Sequence, residues 1–189
     1  MSILPQTRFE HFGVNAIDLE KMEDFYVRFF GFQPSDRGVR FNGQRIVFLT
    51  KSCDDHHQFV LIEGRPADAT YNPINQISFA VQSLDDLRLC FQRLCASGYE
   101  DLMQIDHGNA WSLYLKDPEG NPLELFVDSP WYTPQPCRGD LDLTQPNDEI
   151  LARTEALCRS LPGFATQKEW RESMRNRLAK ADQADVNHV

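Results

Sequence analysis

At 189 residues the chain suits one domain with an extension, and its 41% hydrophobic and 25% charged residues describe an ordinary globular protein whose core needs no disulfides. A net charge of −9 without clustered Lys or Arg argues against nucleic acid and anionic membrane as partners. Its five cysteines (Cys53, Cys90, Cys95, Cys137, Cys158) form no CxxC pair, and with no leader sequence and no apolar run of about 18 residues they read as reduced thiols of a cytoplasmic protein.

In chain order, the first predicted unit covers residues 8–64. It comprises a strand Arg8–Ala16, a helix Leu19–Phe30 capped by Asp18 and closed by Gly31, and strands Gln44–Thr50 and His57–Glu63. Asn42-Gly43 marks a hairpin turn before Gln44. Residues 66–73 connect to a second unit, 75–128. Here the pattern returns: strand Asn75–Gln82, helix Leu84–Ala96 capped by Ser83 and followed by Gly98, and strands Trp111–Lys116 and Pro122–Val127 around the turn Asp117-Pro118-Glu119-Gly120-Asn121.

The two units are in register. His11 matches Gln76, and the helix stripes pair as Leu19/Leu84, Met22/Leu87, Phe25/Cys90, Tyr26/Phe91 and Phe29/Leu94. The expectation is an α+β protein of two tandem βαβββ modules forming a curved mixed sheet around a cavity. From Ser129 onward, Pro130, Pro134 and Pro136 make an extended linker to a C-terminal extension, 129–189. Its two helices run over Asp148–Arg159 and from the Thr166-Gln167-Lys168-Glu169 capping box to about Ala179. Trp131-Tyr132 is expected to pack on these helices. The stripe Trp170, Met174, Leu178 needs cover, from the chain's own sheet or from a second copy. The last residues, His188 among them, are expected to fray.

Three polar residues fall on strands that would face one cavity: His11, Gln76 and Glu124, the last within Pro122-Leu123-Glu124-Leu125-Phe126. A carboxylate between Leu and Phe is costly to bury without compensation. Imidazole, amide oxygen and carboxylate suit a divalent Fe, Mn, Ni or Zn ion. An ion pair of His11 with Glu124, or solvent-facing positions for both, also satisfies the pattern.

Four segments carry a family resemblance: Phe9-Glu10-His11-Phe12-Gly13-Val14, His56-His57-Gln58-Phe59-Val60-Leu61, Asn75-Gln76-Ile77-Ser78-Phe79, and Ser112 through Leu125. Over about residues 8–128 the chain resembles the vicinal-oxygen-chelate superfamily of glyoxalase I, fosfomycin-resistance thiol transferases, bleomycin-resistance proteins and type I extradiol dioxygenases, most closely the last. The resemblance implies His11, Gln76 and Glu124 as metal ligands and His57 as an acid/base group. It also implies Tyr114 as a hydrogen-bonding partner of the substrate and His107 as a second pocket histidine.

The metal implied is Fe(II), with Mn, Ni and Zn as alternatives, and the reaction is ring opening of a catecholic small molecule. A glyoxalase-like isomerase or transferase, and a non-catalytic bleomycin-resistance-like binding protein, are the alternatives. A homodimer is implied as well. The pattern departs from the extradiol enzymes at Gln76, where they carry a second histidine. Gln58, 18 residues before Gln76 and readable as the repeat mate of Glu124, is a candidate fourth ligand, but adjacent strand residues face opposite ways unless a bulge intervenes, and His57 is preferred.

Overall fold

The computed structural model describes residues 7–186, so His188 and the expected frayed end lie outside the described residues. The chain divides into two compact units. One spans the described residues up to Gln76 and adds Lys116–Pro122; the other takes Ile77–Leu115 and the described chain from Leu123 on.

In the first unit the order is β1 (Phe12–Ala16), α1 (Leu19–Phe30), β2 (Gln33–Val39), β3 (Arg45–Thr50) and β4 (Phe59–Glu63). The sheet order is β1-β4-β3-β2, with β1 parallel to β4 from Phe12↔Phe59 to Ala16↔Glu63 and the other pairs antiparallel. Asp18 accepts the Lys21 N–H at 3.0 Å, and Gly31 ends α1 in the left-handed region at φ 72°. Leu19, Met22, Phe25 and Tyr26 are buried, as are Phe59 and Leu61 of β4, and the Tyr26 and Phe59 rings stand edge to face at 4.4 Å. Phe29 is 39% exposed, and Phe30 takes its expected place. At 3.6 residues per turn Phe30 lies about 20° from the direction of Leu19 and Phe29 about 80°.

The borrowed turn 116–122 is tied into this unit. Asp117 is buried; its Oδ1 accepts from the N–H groups of Glu119 and Asn121, and its Oδ2 from the Tyr26 hydroxyl and Asn121 Nδ2. Glu119 Oε1 accepts the N–H groups of Ile17 and Asp18 at 2.7 and 2.8 Å.

The second unit repeats the order with β5 (Ile77–Ala80), α2 (Leu84–Ala96), β6 (Met103–Asp106), β7 (Ala110–Lys116) and β8 (Pro122–Asp128). Then come β9 (Trp131–Tyr132), β10 (Gly139–Asp140), α3 (Asn147–Ser160), β11 (Ala165–Thr166) and α4 (Gln167–Val186). The five-stranded sheet runs β10-β6-β7-β8-β5, and β5 is parallel to β8 as β1 is to β4. Each module thus builds its own mixed sheet. Ser83 caps α2 by accepting the Asp86 N–H, and Leu84, Leu87 and Leu94 are its buried stripe.

The extension is built into this unit. Arg88 of α2 donates to the carbonyls of Leu143 and Gln145, both at 2.8 Å. On α3, the buried Thr154 hydroxyl accepts from Trp111 Nε1 at 2.7 Å and donates to Asp106 Oδ2 at 2.5 Å. Burial pushes the Asp106 carboxyl up, and the Thr154 bond opposes that. Thr154→Val keeps the shape and removes these bonds together with the hydroxyl's contact to the Ile150 carbonyl at 2.9 Å. It should cost about 2–4 kcal/mol in urea unfolding, because the Trp111 N–H and a nearly fully buried carboxylate each lose a partner; a change below about 0.5 kcal/mol would show that the contact contributes nothing.

The capping box at α4 forms as expected: Glu169 Oε2 accepts from the Thr166 N–H and hydroxyl, and Thr166 Oγ1 accepts the Glu169 N–H. Trp131-Tyr132 does pack on the tail, pairing with Ala165-Thr166 and stacking Tyr132 on Trp170 at 5.5 Å. All five cysteines are free thiols. Among the described residues no helix is long and apolar enough to cross a membrane.

Candidate active site

His11 and Gln76 hold equivalent places, each one residue before the first strand of its module rather than inside the strand. Both are exposed. The His11 ring lies 4.3 Å from that of His57, centroid to centroid. His57 sits in the loop before β4, not in the strand, and packs on Phe48 at 5.0 Å. Desolvation first, then the neighbouring imidazoles of His11 and His56, push the His57 pKa down, which favours its neutral form.

Gln58 has another task. Its Oε1 accepts the Lys51 N–H at 3.1 Å and its Nε2 donates to Asp55 Oδ2 at 3.3 Å, closing the β3–β4 loop. Nor is it the repeat mate of Glu124. With Phe12 opposite Phe59 and Ile77 opposite Leu123, the partner of Gly13 is Val60 where the partner of Ser78 is Glu124. The first module therefore carries an apolar residue where the second carries the carboxylate.

In the second unit three adjacent strands converge on Glu124. Its Oε1 accepts from the Tyr114 hydroxyl of β7 at 2.7 Å, and its Oε2 from the Ser78 hydroxyl of β5 at 2.5 Å. The Tyr114 oxygen is also 2.9 Å from His107 Nε2, and His107 Nδ1 is 2.8 Å from the Cys137 carbonyl. That carbonyl only accepts, so His107 Nδ1 carries a proton. Tyr114 has one proton for its two neighbours. Burial, then Glu124, pushes the phenol up to about 12, so it stays protonated at neutral pH. Gly108, at φ 73°, forms the turn that presents His107, and a Cβ there would sit 2.6 Å from Thr133 Cγ2.

His107, Tyr114 and Glu124 are thus brought together in one unit, and His11 and His57 in the other. Sequence reasoning missed Ser78, Asp36 and any partner for His56. Ser78 had one signal, its place two residues after Gln76 on the same strand face. Asp36 had none, because its place depends on a bulge in β2.

Among the described residues no group of three or more His, Cys, Asp or Glu is placed to hold a metal. Imidazole, amide oxygen and carboxylate are each donors that suit a divalent ion. Glu124 is held by two outer hydroxyls, the support a ligating carboxylate normally has.

The model of the Glyoxalase/Bleomycin resistance protein/Dioxygenase superfamily matches residues 8–125. Biphenyl-2,3-diol 1,2-dioxygenase 2 of Rhodococcus globerulus is 29% identical over 126 residues, 65% of this chain and 63% of that protein. Biphenyl-2,3-diol 1,2-dioxygenase 3 of the same organism is 29% identical over 136 residues, 68% and 66%. The chain therefore spans just under two thirds of the length of these relatives. The fold is also that of the fosfomycin resistance protein FosX from Listeria monocytogenes, solved with Mn(II) and sulfate, at a TM-score of 0.51 and 20% identity over 66% of this chain and 95% of that one. With the paired βαβββ modules and a family match over most of its length, the chain belongs to the glyoxalase/bleomycin resistance/dioxygenase superfamily.

Proposed function

We propose that this protein is a metal-dependent extradiol-type dioxygenase acting on a catecholic or related aromatic diol. The observation that carries the reading is the hydrogen-bonded set His107–Tyr114–Glu124, with a phenol that stays protonated beside the carboxylate. The two Rhodococcus globerulus relatives support the same chemistry. In this reading His11, Gln76 and Glu124 hold the ion, Fe(II) in the first place. When bound, it supplies a Lewis-acidic, redox-active centre for a diol and dioxygen.

The chain's own residues do the rest. Tyr114 hydrogen-bonds a substrate oxygen, and His107 fixes the phenol in place. Ser78 and Tyr114 orient Glu124. His57 takes and returns the proton of a substrate hydroxyl. A second reading, a glyoxalase-like isomerase or transferase, is favoured by Gln76, because an amide oxygen suits a harder ion such as Mn(II) better than it suits Fe(II).

Oxygen uptake decides between them. Protein loaded with Fe(II) without oxygen and then given biphenyl-2,3-diol and air should consume one dioxygen per diol, with both oxygen atoms retained in a ring-opened product. Metal-loaded protein that takes up no oxygen with simple catechols either would reject the dioxygenase reading.

A further inference from the structure

Asp36, His56 and His57 form an unbroken hydrogen-bonded chain in the first unit. His56 Nε2 lies 2.8 Å from Asp36 Oδ2, and His56 Nδ1 lies 2.9 Å from His57 Nδ1. The His56 and Asp36 side chains are 55% and 67% exposed, so water could serve every one of these atoms. Two features direct them to each other instead. The β2–β3 register shifts between Pro34 and Asp36, and such a bulge re-aims the side chain beside it. His56 also stands edge-on to Phe48 at 5.6 Å and perpendicular to the His57 ring.

The donors and acceptors then decide the tautomers. A carboxylate only accepts, so His56 Nε2 carries a proton. In a neutral His56 the Nδ1 is a bare lone pair, and the His57 Nδ1 facing it must be the donor. We propose that Asp36 and His56 are positioning residues that lock His57 in its Nδ1–H tautomer and leave the His57 Nε2 lone pair as the proton-accepting atom of the site. The inference rests on the reading of His57 as the acid/base group.

The lock has a chemical use. When His57 Nε2 takes a proton from a substrate hydroxyl, its Nδ1 proton passes to His56 Nδ1. His56 is then an imidazolium on the Asp36 carboxylate, and His57 is neutral with its proton on Nε2, ready to be returned. Neither ring turns, and the number of protons is conserved. The positive charge rests at the exposed, carboxylate-bearing end of the chain rather than on the ring that packs against His11.

Long-range proton–nitrogen correlation of the imidazoles in nitrogen-15-labelled, metal-free protein reads the tautomer directly, and the chain's five histidines keep the spectrum sparse. At mildly alkaline pH, His57 should be mainly Nδ1–H. His56→Phe keeps a ring on Phe48 and removes both nitrogens; it should move the His57 tautomer ratio toward Nε2–H by about fivefold or more, the weight of one hydrogen bond. Asp36→Ala should move it in the same direction by less. His56→Asn, whose amide oxygen can again accept from His57 Nδ1, should restore the parent ratio.

An Nε2–H form in the parent, or an unchanged ratio in His56→Phe with an otherwise parental amide spectrum, would overturn the proposal. No metal or diol enters the measurement. Protein that shows the lock but cleaves no diol rejects only the dioxygenase reading, and protein that cleaves diols without the lock rejects only this inference.

Discussion

Replacing Glu124 with alanine is expected to abolish tight binding of divalent metal. Glu124 is the only carboxylate of the proposed donor set, beside the imidazole of His11 and the amide of Gln76. Its oxygens are oriented by Tyr114 and Ser78, so alanine removes both the charge and the preorganised geometry. Losing an outer-shell partner typically costs 10–100-fold in affinity, and losing the carboxylate itself should cost more than about 100-fold. Calorimetric titration of the metal-free protein with Mn(II), and with Fe(II) under nitrogen, measures this. Ser78→Ala should show the smaller, outer-shell loss. Gln76→His, which completes a two-histidine, one-carboxylate set, should bind Fe(II) more tightly than the parent. Metal content unchanged in Glu124→Ala would reject the assignment of that carboxylate as a ligand.

The second large effect is on stability. Asp117→Ala should cost about 3–5 kcal/mol and lower Tm by about 10 °C. Asp117 accepts four hydrogen bonds, and two of the donors, the Tyr26 hydroxyl and Asn121 Nδ2, belong to fully buried residues. Alanine leaves them without that acceptor and admits no water easily. Asp117→Asn should fall between the parent and alanine, because its oxygen replaces one acceptor while its NH2 group meets a second donor. Urea unfolding with a loss under about 1 kcal/mol would mean that the turn relaxes and finds other partners.

The two long helices of the modules are legible to the residue because capping is local chemistry. Asp18 and Ser83 start α1 and α2 where an N-cap should, and Gly31 and Gly98 follow their ends. β2 and β6 were not separately legible. Gln33–Val39 is almost wholly exposed and Met103–Asp106 is short, so neither shows an alternation to read. Alternation in the sequence places the start of the first module's opening strand at Arg8, whereas β1 begins at Phe12; residues 7–11 are exposed and lie outside the strand.

The same division runs through the site. Glu124 and Tyr114 stand out because they flank a recognisable turn. Ser78 and Asp36 do not, because their roles come from strand register: Ser78 from lying opposite Glu124, Asp36 from a bulge. Val60, rather than Gln58, at the place matching Glu124 is likewise a matter of register. Gln58 turned to closing its own loop is a tertiary fact that spacing alone does not contain.

The turn 116–122 is coded in the second module and folded with the first, and this bears on how such a duplication can be taken apart. A backbone cut after Gln76 would leave Tyr26, Ile17 and Asp18 on one fragment, and Asp117 and Glu119, which they bond, on the other. The former fragment would lose the acceptor that Asp117 offers the buried Tyr26 hydroxyl and the one that Glu119 offers the Ile17 and Asp18 N–H groups, and the latter would carry a polar hairpin tip shaped for a surface it no longer has. The halves are alike in sequence but are not spare copies of each other. Neither is a ready-made minimal protein, and a split version would have to regain its stability by complementation, with the loop acting as the plug that one fragment lends to the other.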